Sequence, residues 1–469
     1  MASAKMTGAG SGRTGSGKSE SGDSGRLSRR RFLATLGGAA AGLALHGCGG
    51  GGSGAPPGLW PNIVLIVADD LGYGDLGVYG CPDIATPNLD SLARDGVQFS
   101  SGYVSCPLCS PTRAGLLTGR YQQRFGHEYN PVPGLPDDPR FGLPQSETTL
   151  AERLRALGYA TGLVGKWHLG YQEGMRPLDR GFQEFFGFLN GLRSYLPGGA
   201  IEPGGELLNG TRPVQLTEYL PDALGRVALS FINRHRRAPF FLMLCFKAVH
   251  APLEATQPYL DRVAHIADDS RRTMAAILTA MDDNVGRVLA RLQAYGLDAR
   301  TLVVFVSDNG GDTPSNASMN SPLRGYKSEM WEGGIRVPFL LRWPGQVPAG
   351  MVYDEPVSSL DVVPTVMAAA GQDIAPEWGL DGVDLRPYLT GEAGGPPHEA
   401  LYWRMGEQSA IRQGEWKLVV EGAGPRLFNL AEDIGESNDL AALMPDKVAE
   451  LQALWEAWSA QMAPPRWVW

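Results

Sequence analysis

Short apolar runs and amphipathic stretches alternate along most of this chain. Asn62–Ala68 (NIVLIVA) is an uninterrupted, β-branched apolar run, which is typical of a strand buried on both faces of a parallel sheet. Similar runs recur further on, each after a stretch with helical periodicity. The predicted helices are Leu150–Leu157, Asp222–Arg234 and Ser270–Tyr295, and the predicted strands that follow them are Thr161–Val164, Phe240–Phe246 and Leu302–Val306. This alternation predicts an α/β fold, with a large, mostly parallel sheet flanked by helices.

The pattern changes near residue 376, where short strand-like pieces with turns between them replace the alternation. These pieces are Ala400–Arg404, Ser409–Arg412, Trp416–Glu421 and Arg426–Asn429, and a final helix is predicted over Pro445–Gln461. We therefore predict a larger α/β domain over residues 60–375 and a smaller C-terminal α+β subdomain over residues 376–469.

The first 47 residues have the pattern of an export signal. Residues 28–33 (SRRRFL) precede an uncharged apolar run, Phe32–Leu45, that is too short to span a bilayer comfortably. The Ser-Arg-Arg-x-Phe-Leu order resembles a twin-arginine signal, which serves proteins that fold before export. An ordinary secretory signal is the alternative. Either signal predicts an exported bacterial protein whose partners include the export machinery.

Residues 45–48 (LHGC) resemble a bacterial lipobox, in which Cys48 would become the lipid-bearing N-terminus. The glycine-rich residues 48–59 would then be a flexible tether between the anchor and the domain. Cleavage by an ordinary signal peptidase, which would release a soluble periplasmic protein, is the alternative.

Charge and cysteine content exclude some functions. The formal net charge is −9, and the segment 1–47 contributes +5, so the remainder is near −14. Such a chain lacks the basic face that nucleic acid requires.

The five cysteines are too few and odd in number for a disulfide framework. Cys106 and Cys109 have CxxC spacing, but no thioredoxin-like pattern surrounds this candidate redox pair.

Acidic residues follow two of the predicted buried strands. Asp69 and Asp70 end the first, and Asp308 and Asn309 follow Leu302–Val306. Ligands in open parallel sheets bind beyond the carboxyl ends of strands. Neighbouring residues within a strand point to opposite faces, so Asp69 and Asp70 can converge only if the chain has already left the strand. Hard oxygen donors without histidine or cysteine suit Ca²⁺ or Mg²⁺, and the sequence therefore predicts a hard-cation site.

Cys109 is the candidate nucleophile. Pro111 fits the first turn of a helix, which would place Cys109 at the helix N-terminus, where negative charge is favoured. Arg113 follows one helical turn later on the same side. Cysteine, arginine and a helix dipole could by themselves make a thiolate nucleophile.

Residues 109–120 (CSPTRAGLLTGR) resemble the signature of the sulfatase family, in which the cysteine is oxidised to formylglycine. Other blocks resemble the family in the same order along about Pro61 to Asn438. They are Asp69-Asp70, residues 165–168 (GKWH), 249–252 (VHAP), 307–310 (SDNG), 324–327 (RGYK), 332–334 (EGG), 416–418 (WKL) and 427–430 (LFNL). The resemblance implies a calcium-dependent, arylsulfatase-like hydrolase of sulfate monoesters with an alkaline phosphatase-like fold.

The resemblance also implies the role of each site residue. The metal ligands would be Asp69, Asp70, Asp308, Asn309 and the oxidised side chain of Cys109, around one Ca²⁺. The sulfate or the leaving oxygen would be bound by Lys166, His250 and Lys327. Residue 109 would be oriented and activated by Arg113 and His168, and a formylglycine-generating enzyme would be a partner during maturation.

These residue types suit the chemistry of a sulfate ester. Attack on sulfur builds negative charge on the leaving oxygen, which His250 or Lys327 can protonate as a general acid. Hydrated formylglycine carries two hydroxyl groups on one carbon. One would attack sulfur, and loss of a proton from the other, with His168 as the candidate base, would expel sulfate and restore the aldehyde.

Two other functions stay open at this point. The first is a formylglycine-dependent phosphoester or phosphonate hydrolase of the same superfamily, although one cation with two lysines favours a monoanionic sulfate. The second is a non-catalytic, lipid-anchored glycan-binding protein. The substrate, a sulfated small molecule or glycan, is not specified by the sequence.

Overall fold

The computed structural model describes residues 60–131, 138, 140–422 and 424–468. The predicted export segment 1–47 and the tether 48–59, including Cys48, lie outside the described residues. Within the described ranges, no helix combines the length and apolar character that crossing a membrane requires.

Strands and helices alternate through the larger part of the described chain, and short strands dominate its end. The strands are β1 (Asn62–Asp69), β2 (Val97–Phe99), β3 (Gly102–Tyr103), β4 (Ala160–Lys166), β5 (Glu184–Phe188), β6 (Leu208–Asn209), β7 (Arg212–Pro213), β8 (Phe240–Val249), β9 (Thr301–Ser307), β10 (Phe339–Arg342), β11 (Met351–Tyr353), β12 (Val357–Ser358), β13 (Leu401–Met405), β14 (Gln408–Gln413), β15 (Trp416–Val420) and β16 (Pro425–Asn429). The helices are α1 (Pro87–Arg94), α2 (Cys109–Thr118), α3 (Leu150–Ala156), α4 (Leu220–His235), α5 (Gln257–Arg262), α6 (Asp269–Ala294), α7 (Thr313–Asn316), α8 (Glu332–Ile335), α9 (Val362–Ala369), α10 (Arg386–Thr390) and α11 (Pro445–Ser459).

A ten-stranded sheet in the order β11-β2-β10-β9-β1-β8-β4-β5-β6-β7 forms the centre of the molecule. Strand β1 lies between β8 and β9 and is parallel to both, and β4 continues the parallel arrangement towards β5. Antiparallel pairs occur around β10 and at the β5-β6-β7 edge. The sheet is therefore mixed, with the predicted parallel strands at its centre.

Side chains of β1 alternate between two hydrophobic cores. Ile63, Leu65 and Val67 belong to one core, which includes residues of α2, α3 and α9. Val64 and Ile66 belong to the other, which includes residues of α4 and α6. Both faces of the strand are covered, which explains why its sequence is apolar without interruption.

The four strands β13 to β16 form an antiparallel meander, and α11 packs on one face of it. Leu418 and Leu451 belong to a small core between this sheet and the helix. On the opposite face, Trp403 and Phe428 join the core of the large sheet, and the Trp403 indole donates to the Val104 carbonyl at 2.7 Å. The described part of the C-terminal unit is thus packed directly against the larger sheet.

Candidate active site

Four central strands end at the same edge of the large sheet. The neighbouring strands β9, β1, β8 and β4 run parallel, so their carboxyl ends come together there. Every side chain predicted from the sequence for the site lies on or just beyond these ends, at the start of α2, or in the segment between α7 and α8. The edge of the sheet therefore brings together residues that are far apart in sequence.

Asp69 and Asp70 point into one site because the backbone turns between them. Strand β1 ends at Asp69, and Asp70 has a left-handed backbone conformation with φ 60°. Aspartate tolerates this conformation better than most residues. Asn316 and Ser318 hold the turn by donating to the Asp70 carbonyl, at 3.1 and 3.0 Å. The chain has left the strand at Asp70, as convergence of the two carboxylates requires.

Asp308 and Asn309 join these aspartates from the end of β9. The Asp70 amide donates to Asp308 Oδ1 at 3.3 Å, and Asn309 Nδ2 donates to Asp70 Oδ1 at 2.8 Å. Asn309 Oδ1 is buried and accepts no hydrogen bond from the described residues. A buried carbonyl oxygen without a donor is costly unless another group, such as a cation, contacts it.

Cys109 is the first residue of α2 and is almost fully buried. Its Sγ lies 3.6 Å from Asp69 Oδ1 and 3.8 Å from Asp70 Oδ1. This Sγ belongs to the unmodified cysteine, and it stands in for an oxygen of the oxidised side chain that the sequence resemblance implies. The structure thus places residue 109 against both aspartates of β1.

These contacts disfavour a simple thiolate nucleophile. Burial raises the pKa of the Cys109 thiol well above its usual value, and the Asp308 carboxylate raises it further. Lys166 and Lys327 act in the opposite direction without reversing the shift. Although a helix N-terminus favours negative charge, the surrounding carboxylates oppose it here. These surroundings therefore favour the protonated thiol over the thiolate.

Lys166 and Lys327 neutralise the two aspartates. Lys166 Nζ donates to both oxygens of Asp69, at 2.9 and 2.7 Å, and Lys327 Nζ lies 2.8 Å from both oxygens of Asp70. Burial alone would lower the pKa of each lysine, but the neighbouring carboxylates raise it. Both lysines are therefore cations that can also bind an anionic ligand.

Position 165, directly before Lys166, requires glycine. A Cβ on Gly165 would lie 1.8 Å from the Cys245 carbonyl oxygen, and the φ of Gly165 is 115°. No other residue type allows β4 and β8 to approach each other in this way at the level of the site.

Arg113 contacts Asp308 and the backbone of Lys166. Its guanidinium donates to Asp308 Oδ2 through Nε at 2.9 Å, and another guanidinium nitrogen donates to the Lys166 carbonyl at 3.0 Å. Burial opposes the charge on Arg113, but Asp308 raises its pKa above the usual value. Arg113 thereby fixes Oδ2 of Asp308, whose Oδ1 accepts from the Asp70 amide.

His250 faces the cluster with a bare nitrogen. Its Nδ1 lies 2.6 Å from the Ala251 carbonyl, which can only accept, so Nδ1 carries the proton. In the neutral ring, Nε2 is then unprotonated, and it lies 3.6 Å from Asp70 Oδ2. Burial lowers the pKa of His250 well below its usual value, while Asp70 partly opposes the shift.

His168 is also buried and has a left-handed backbone conformation with φ 62°. Its Nδ1 has no hydrogen-bond partner among the described residues. Burial lowers the pKa of His168 well below its usual value, and the nearby Lys166 and Arg113 lower it further. His168 is therefore a neutral imidazole with one nitrogen available to a ligand.

The donor set fits a hard divalent cation. Single donor atoms of Asp69, Asp70, Cys109 and His250 lie within 4.8 Å of one another. The free Asn309 Oδ1 adds a further oxygen donor. Carboxylate and amide oxygens predominate, as they do in calcium and magnesium sites. The proximity of His250 was not part of the predicted ligand set.

Several supporting residues were not among the predicted site residues. Lys247, buried near the end of β8, donates to the His250 and Ala251 carbonyls at 2.8 and 2.9 Å and packs over the Tyr195 ring. Tyr195 donates to the same His250 carbonyl at 2.9 Å. A lysine within the apolar sequence FFLMLCFKAV of β8 is the signal that could have found this pair.

A second support lies under His168. Ser110 Oγ donates to the His168 carbonyl at 2.5 Å, so the 2.7 Å contact between Ser110 Oγ and His127 Nε2 has the histidine as donor. This chain of hydrogen bonds connects the start of α2 to the left-handed turn at His168.

The four cysteines among the described residues, Cys106 and Cys109 included, are free, so the CxxC pair is not a disulfide in this structure.

Comparison with protein families gives two matches. The profile described as Sulfatase matches residues 61–372, and the profile described as N-sulphoglucosamine sulphohydrolase, C-terminal, matches residues 326–453. Together the two matches span the larger sheet and most of the C-terminal unit.

Individual proteins are similar over most of the chain. N-acetylgalactosamine-6-sulfatase of Canis lupus familiaris is 36% identical over 406 residues, which covers 80% of this chain and 74% of that protein. Arylsulfatase A of Homo sapiens is 34% identical over 452 residues, covering 84% and 86%. Both are named as sulfatases.

Among solved structures, Ps i-CgsB in complex with k-i-k-neocarrahexaose has a TM-score of 0.82 and 36% identity, and the match covers 87% of this chain and 94% of that one. Phosphonate monoester hydrolase SpPMH from Silicibacter pomeroyi has a TM-score of 0.64 at 20% identity, covering 85% and 94%, and shows similarity of fold alone. These matches confirm the predicted fold class: a large sheet flanked by helices with a small C-terminal antiparallel sheet.

Proposed function

This chain belongs to the sulfatase family and is a sulfuric ester hydrolase, and we propose that it uses Ca²⁺ and a formylglycine made from Cys109. The observation that carries the proposal is the position of Cys109 Sγ, within 3.8 Å of carboxylate oxygens of both Asp69 and Asp70. A cysteine between two carboxylates is a poor thiolate, whereas an aldehyde hydrate at the same position would be a neutral oxygen donor and nucleophile.

Asp69, Asp70, Asp308, Asn309 and residue 109 would hold the calcium ion. When bound, the ion supplies positive charge that polarises oxygen ligands and offsets charge on the sulfate group. The free Asn309 Oδ1 supports this ligand set, because a cation contact would satisfy that buried oxygen.

Lys166 and Lys327 would bind the sulfate group and the leaving oxygen. Each ammonium already lies within 3 Å of an aspartate, and a bound cation would take over the neutralisation of those carboxylates. The lysines could then direct their remaining N–H groups to the substrate. We assign the leaving oxygen to Lys327 in preference to His250, because the neutral His250 ring has its proton on Nδ1, bound to the Ala251 carbonyl.

His168 would accept the proton whose removal from residue 109 releases sulfate. Two observations support this role. The Nδ1 of His168 has no hydrogen-bond partner among the described residues, and the His168 carbonyl accepts from the hydroxyl of Ser110, the residue after Cys109. His250 would accept a hydrogen bond from a substrate hydroxyl group through its bare Nε2, and Arg113 would orient the site by holding Asp308.

The proposed substrates are sulfated glycans. N-acetylgalactosamine-6-sulfatase is named for a sulfated sugar, and the structurally similar Ps i-CgsB was solved with a bound neocarrahexaose. Steryl-sulfatase of Mus musculus, with 36% identity over 424 residues, keeps smaller sulfate esters open as alternatives. A screen of sulfated oligosaccharides for released sulfate would separate these classes.

The first experiment compares nitrophenyl sulfate with nitrophenyl phosphate and a phosphonate monoester, using protein matured in a host that has a formylglycine-generating enzyme. A sulfatase turns over the sulfate fastest. Faster turnover of the phosphate or phosphonate would instead identify the rival hydrolase. No turnover of any ester, with retained glycan binding, would identify the non-catalytic protein.

The second experiment measures the mass of the tryptic peptide 95–113 after thiol alkylation. This peptide contains both Cys106 and Cys109, so Cys106 is an internal control for alkylation. Formylglycine at position 109 leaves one alkylated thiol per peptide. Two alkylated thiols in catalytically active protein would contradict the formylglycine proposal.

Export and lipid attachment are proposals of the same kind, supported by residues 28–33 and 45–48. Replacing Arg29 and Arg30 by lysine should keep the protein in the cytoplasm of its host. Cys48→Ala should release it from the membrane fraction. If either variant fractionates like the parent protein, the assignment of the corresponding signal is wrong.

A further inference from the structure

The segment that carries Lys327 is a loop closed at its base. Gly333 donates its amide to the Arg324 carbonyl at 2.6 Å, which joins the two ends of residues 324–333. Lys327 extends from this loop to Asp70. The position of the lysine therefore depends on what holds the loop.

One side of the loop contacts the active site. The Lys327 amide donates to the Gly311 carbonyl at 3.3 Å, and the Ser328 amide donates to the Pro107 carbonyl at 3.0 Å. A Cβ on Gly310 would lie 1.8 Å from the Gly333 carbonyl oxygen, so the loop base packs directly against the backbone after Asn309. These contacts place the loop next to both the metal ligands and the segment before Cys109.

The other side of the loop is held by Glu436, which belongs to the C-terminal unit. Glu436 Oε2 accepts from the Glu332 amide at 2.7 Å, and the Glu436 carbonyl accepts from Arg324 at 2.7 Å. One residue thereby contacts both ends of the loop. Glu436 itself has a left-handed backbone conformation with φ 51°.

Lys417 of β15 balances the charge at this point. Its Nζ lies 2.9 Å from Glu332 Oε1 and 2.8 Å from Glu436 Oε1, and all three side chains are fully buried. The second oxygen of Glu332 accepts from the Tyr103 hydroxyl at 2.6 Å and from Arg336 at 3.2 Å. Buried charges tolerate little displacement, because each lost partner leaves an uncompensated ion.

We propose that Glu436, with its charge balanced by Lys417, is a positioning residue that fixes Lys327 in the active site by holding both ends of the 324–333 loop. The C-terminal sheet is then a functional part of the catalytic apparatus. The expected effect on turnover rests on the role proposed for Lys327 above, whereas the effect on its position does not.

A double-mutant cycle between Glu436→Ala and Lys327→Ala tests this directly. If Glu436 acts through Lys327, Glu436→Ala lowers kcat/KM about tenfold in the parent enzyme and by less than about twofold in the Lys327→Ala background. Rates are expressed per formylglycine-containing, folded molecule, so a loss of folded protein does not count. Equal losses in both backgrounds would overturn the proposal.

Three further variants separate positioning from a general effect on the fold. Glu436→Gln keeps an acceptor for the Glu332 amide and should restore most of kcat. Arg324→Ala removes the hydrogen bond from Arg324 to the Glu436 carbonyl, which holds the other end of the loop. The Arg324 side chain is exposed, so this change should lower kcat with little change in stability. Glu432→Ala changes an exposed glutamate nearby and should have no effect. Equal activity of the Ala and Gln variants at 436 would contradict the proposal.

A crystal structure of Glu436→Ala provides a test that needs no turnover. The proposal predicts that Lys327 Nζ moves out of hydrogen-bonding distance of Asp70. An unmoved lysine would overturn the proposal even if the parent protein is an active sulfatase. Absence of sulfatase turnover in the parent, with a displaced lysine in the variant, would overturn the proposed function alone.

Discussion

Two buried clusters of charge in this protein are built from similar groups but use their oxygen atoms differently. At the sheet edge, Asp69, Asp70 and Asp308 meet Lys166 and Lys327; at the C-terminal junction, two glutamates meet Lys417. At the junction, Lys417 lies between one oxygen of each glutamate, at 2.9 and 2.8 Å, and the second oxygens accept from the Tyr103 hydroxyl and the Glu332 amide. At the sheet edge, four possible ligand atoms, from Asp69, Asp70, Cys109 and His250, lie within 4.8 Å of one another, and no such group of ligand atoms occurs at the junction among the described residues.

This difference distinguishes a binding site from a structural connection. Shifted pKa values do not distinguish them, because both clusters contain one carboxylate with a lowered pKa and one with a raised pKa. Lys417 and Arg336 overcome burial and lower the pKa of Glu332 to about 2, whereas burial raises the pKa of Glu436 to about 7. In the same way, Lys327 lowers the pKa of Asp70 and burial raises that of Asp308. Several donor atoms gathered around one point are the better indicator of function.

The largest effect that separates the clusters should come from Cys109→Ala. Loss of the nucleophile should lower kcat by about a thousandfold or more, while the thermal unfolding midpoint changes by only a few degrees. Cys106→Ala is the matched control, because Cys106 is also buried and lies three residues from Cys109. The Cys106→Ala enzyme should keep the activity of the parent. Comparable turnover by Cys109→Ala and the parent would refute the mechanism.

Lys417→Met should have the opposite profile, with its main effect on stability. It leaves two buried carboxylates without their common cation, and the free energy of unfolding should fall by about 3–5 kcal/mol in urea titrations. Lys447→Met removes a lysine that pairs with Glu450 at 2.7 Å on the surface, and should cost less than about 1 kcal/mol. Similar losses for both lysines would mean that the junction is not a closed cluster.

Calcium should stabilise the protein through the sheet-edge cluster alone. Chelation should abolish activity, and Ca²⁺ at about 100 times its dissociation constant should restore activity and add about 2.7 kcal/mol to the free energy of unfolding. Asn309→Ala should weaken this stabilisation, whereas Lys417→Met should retain it. If chelators change neither the activity nor the stability, the metal assignment is wrong.

The smallest expected effect is a dependence of stability on pH at the junction. Glu436 has an ordinary pKa of 4.5 when unfolded and about 7 when folded, so the folded state binds its proton more tightly. The resulting stabilisation is complete below pH 4.5 and is lost as pH rises through about 7. Glu436→Gln should remove about 1–3 kcal/mol of this decline. An unchanged pH profile of the variant would contradict the assignment.

Much of the fold was accessible from the sequence because the central strands are apolar on both faces. The run Asn62–Ala68 predicted β1 with an error of one residue, since uninterrupted burial produces an unambiguous pattern. The edge strands β6 and β7 have only two residues each, too short for any periodicity, and they were not predicted. Strand β10 was also missed, and its antiparallel pairing with β9 makes the sheet mixed.

The site residues found from the sequence are those whose side-chain type is unusual at a strand end or a helix start. Asp69, Asp70 and Cys109 follow this rule, and the structure brings them together. Glu436 could not be found this way, because it follows a surface turn in a polar stretch and becomes buried only through contact with Lys417 and the 324–333 loop. Contacts between remote segments leave no periodic trace in the sequence.

Anomalous diffraction from crystals of the matured protein grown with calcium tests the central contrast most directly. The account predicts one calcium peak, in contact with oxygens of Asp69, Asp70, Asp308 and Asn309 and with residue 109, and none beside Glu332 and Glu436. A map without a peak at the sheet edge, or with an equal peak at the junction, would contradict it.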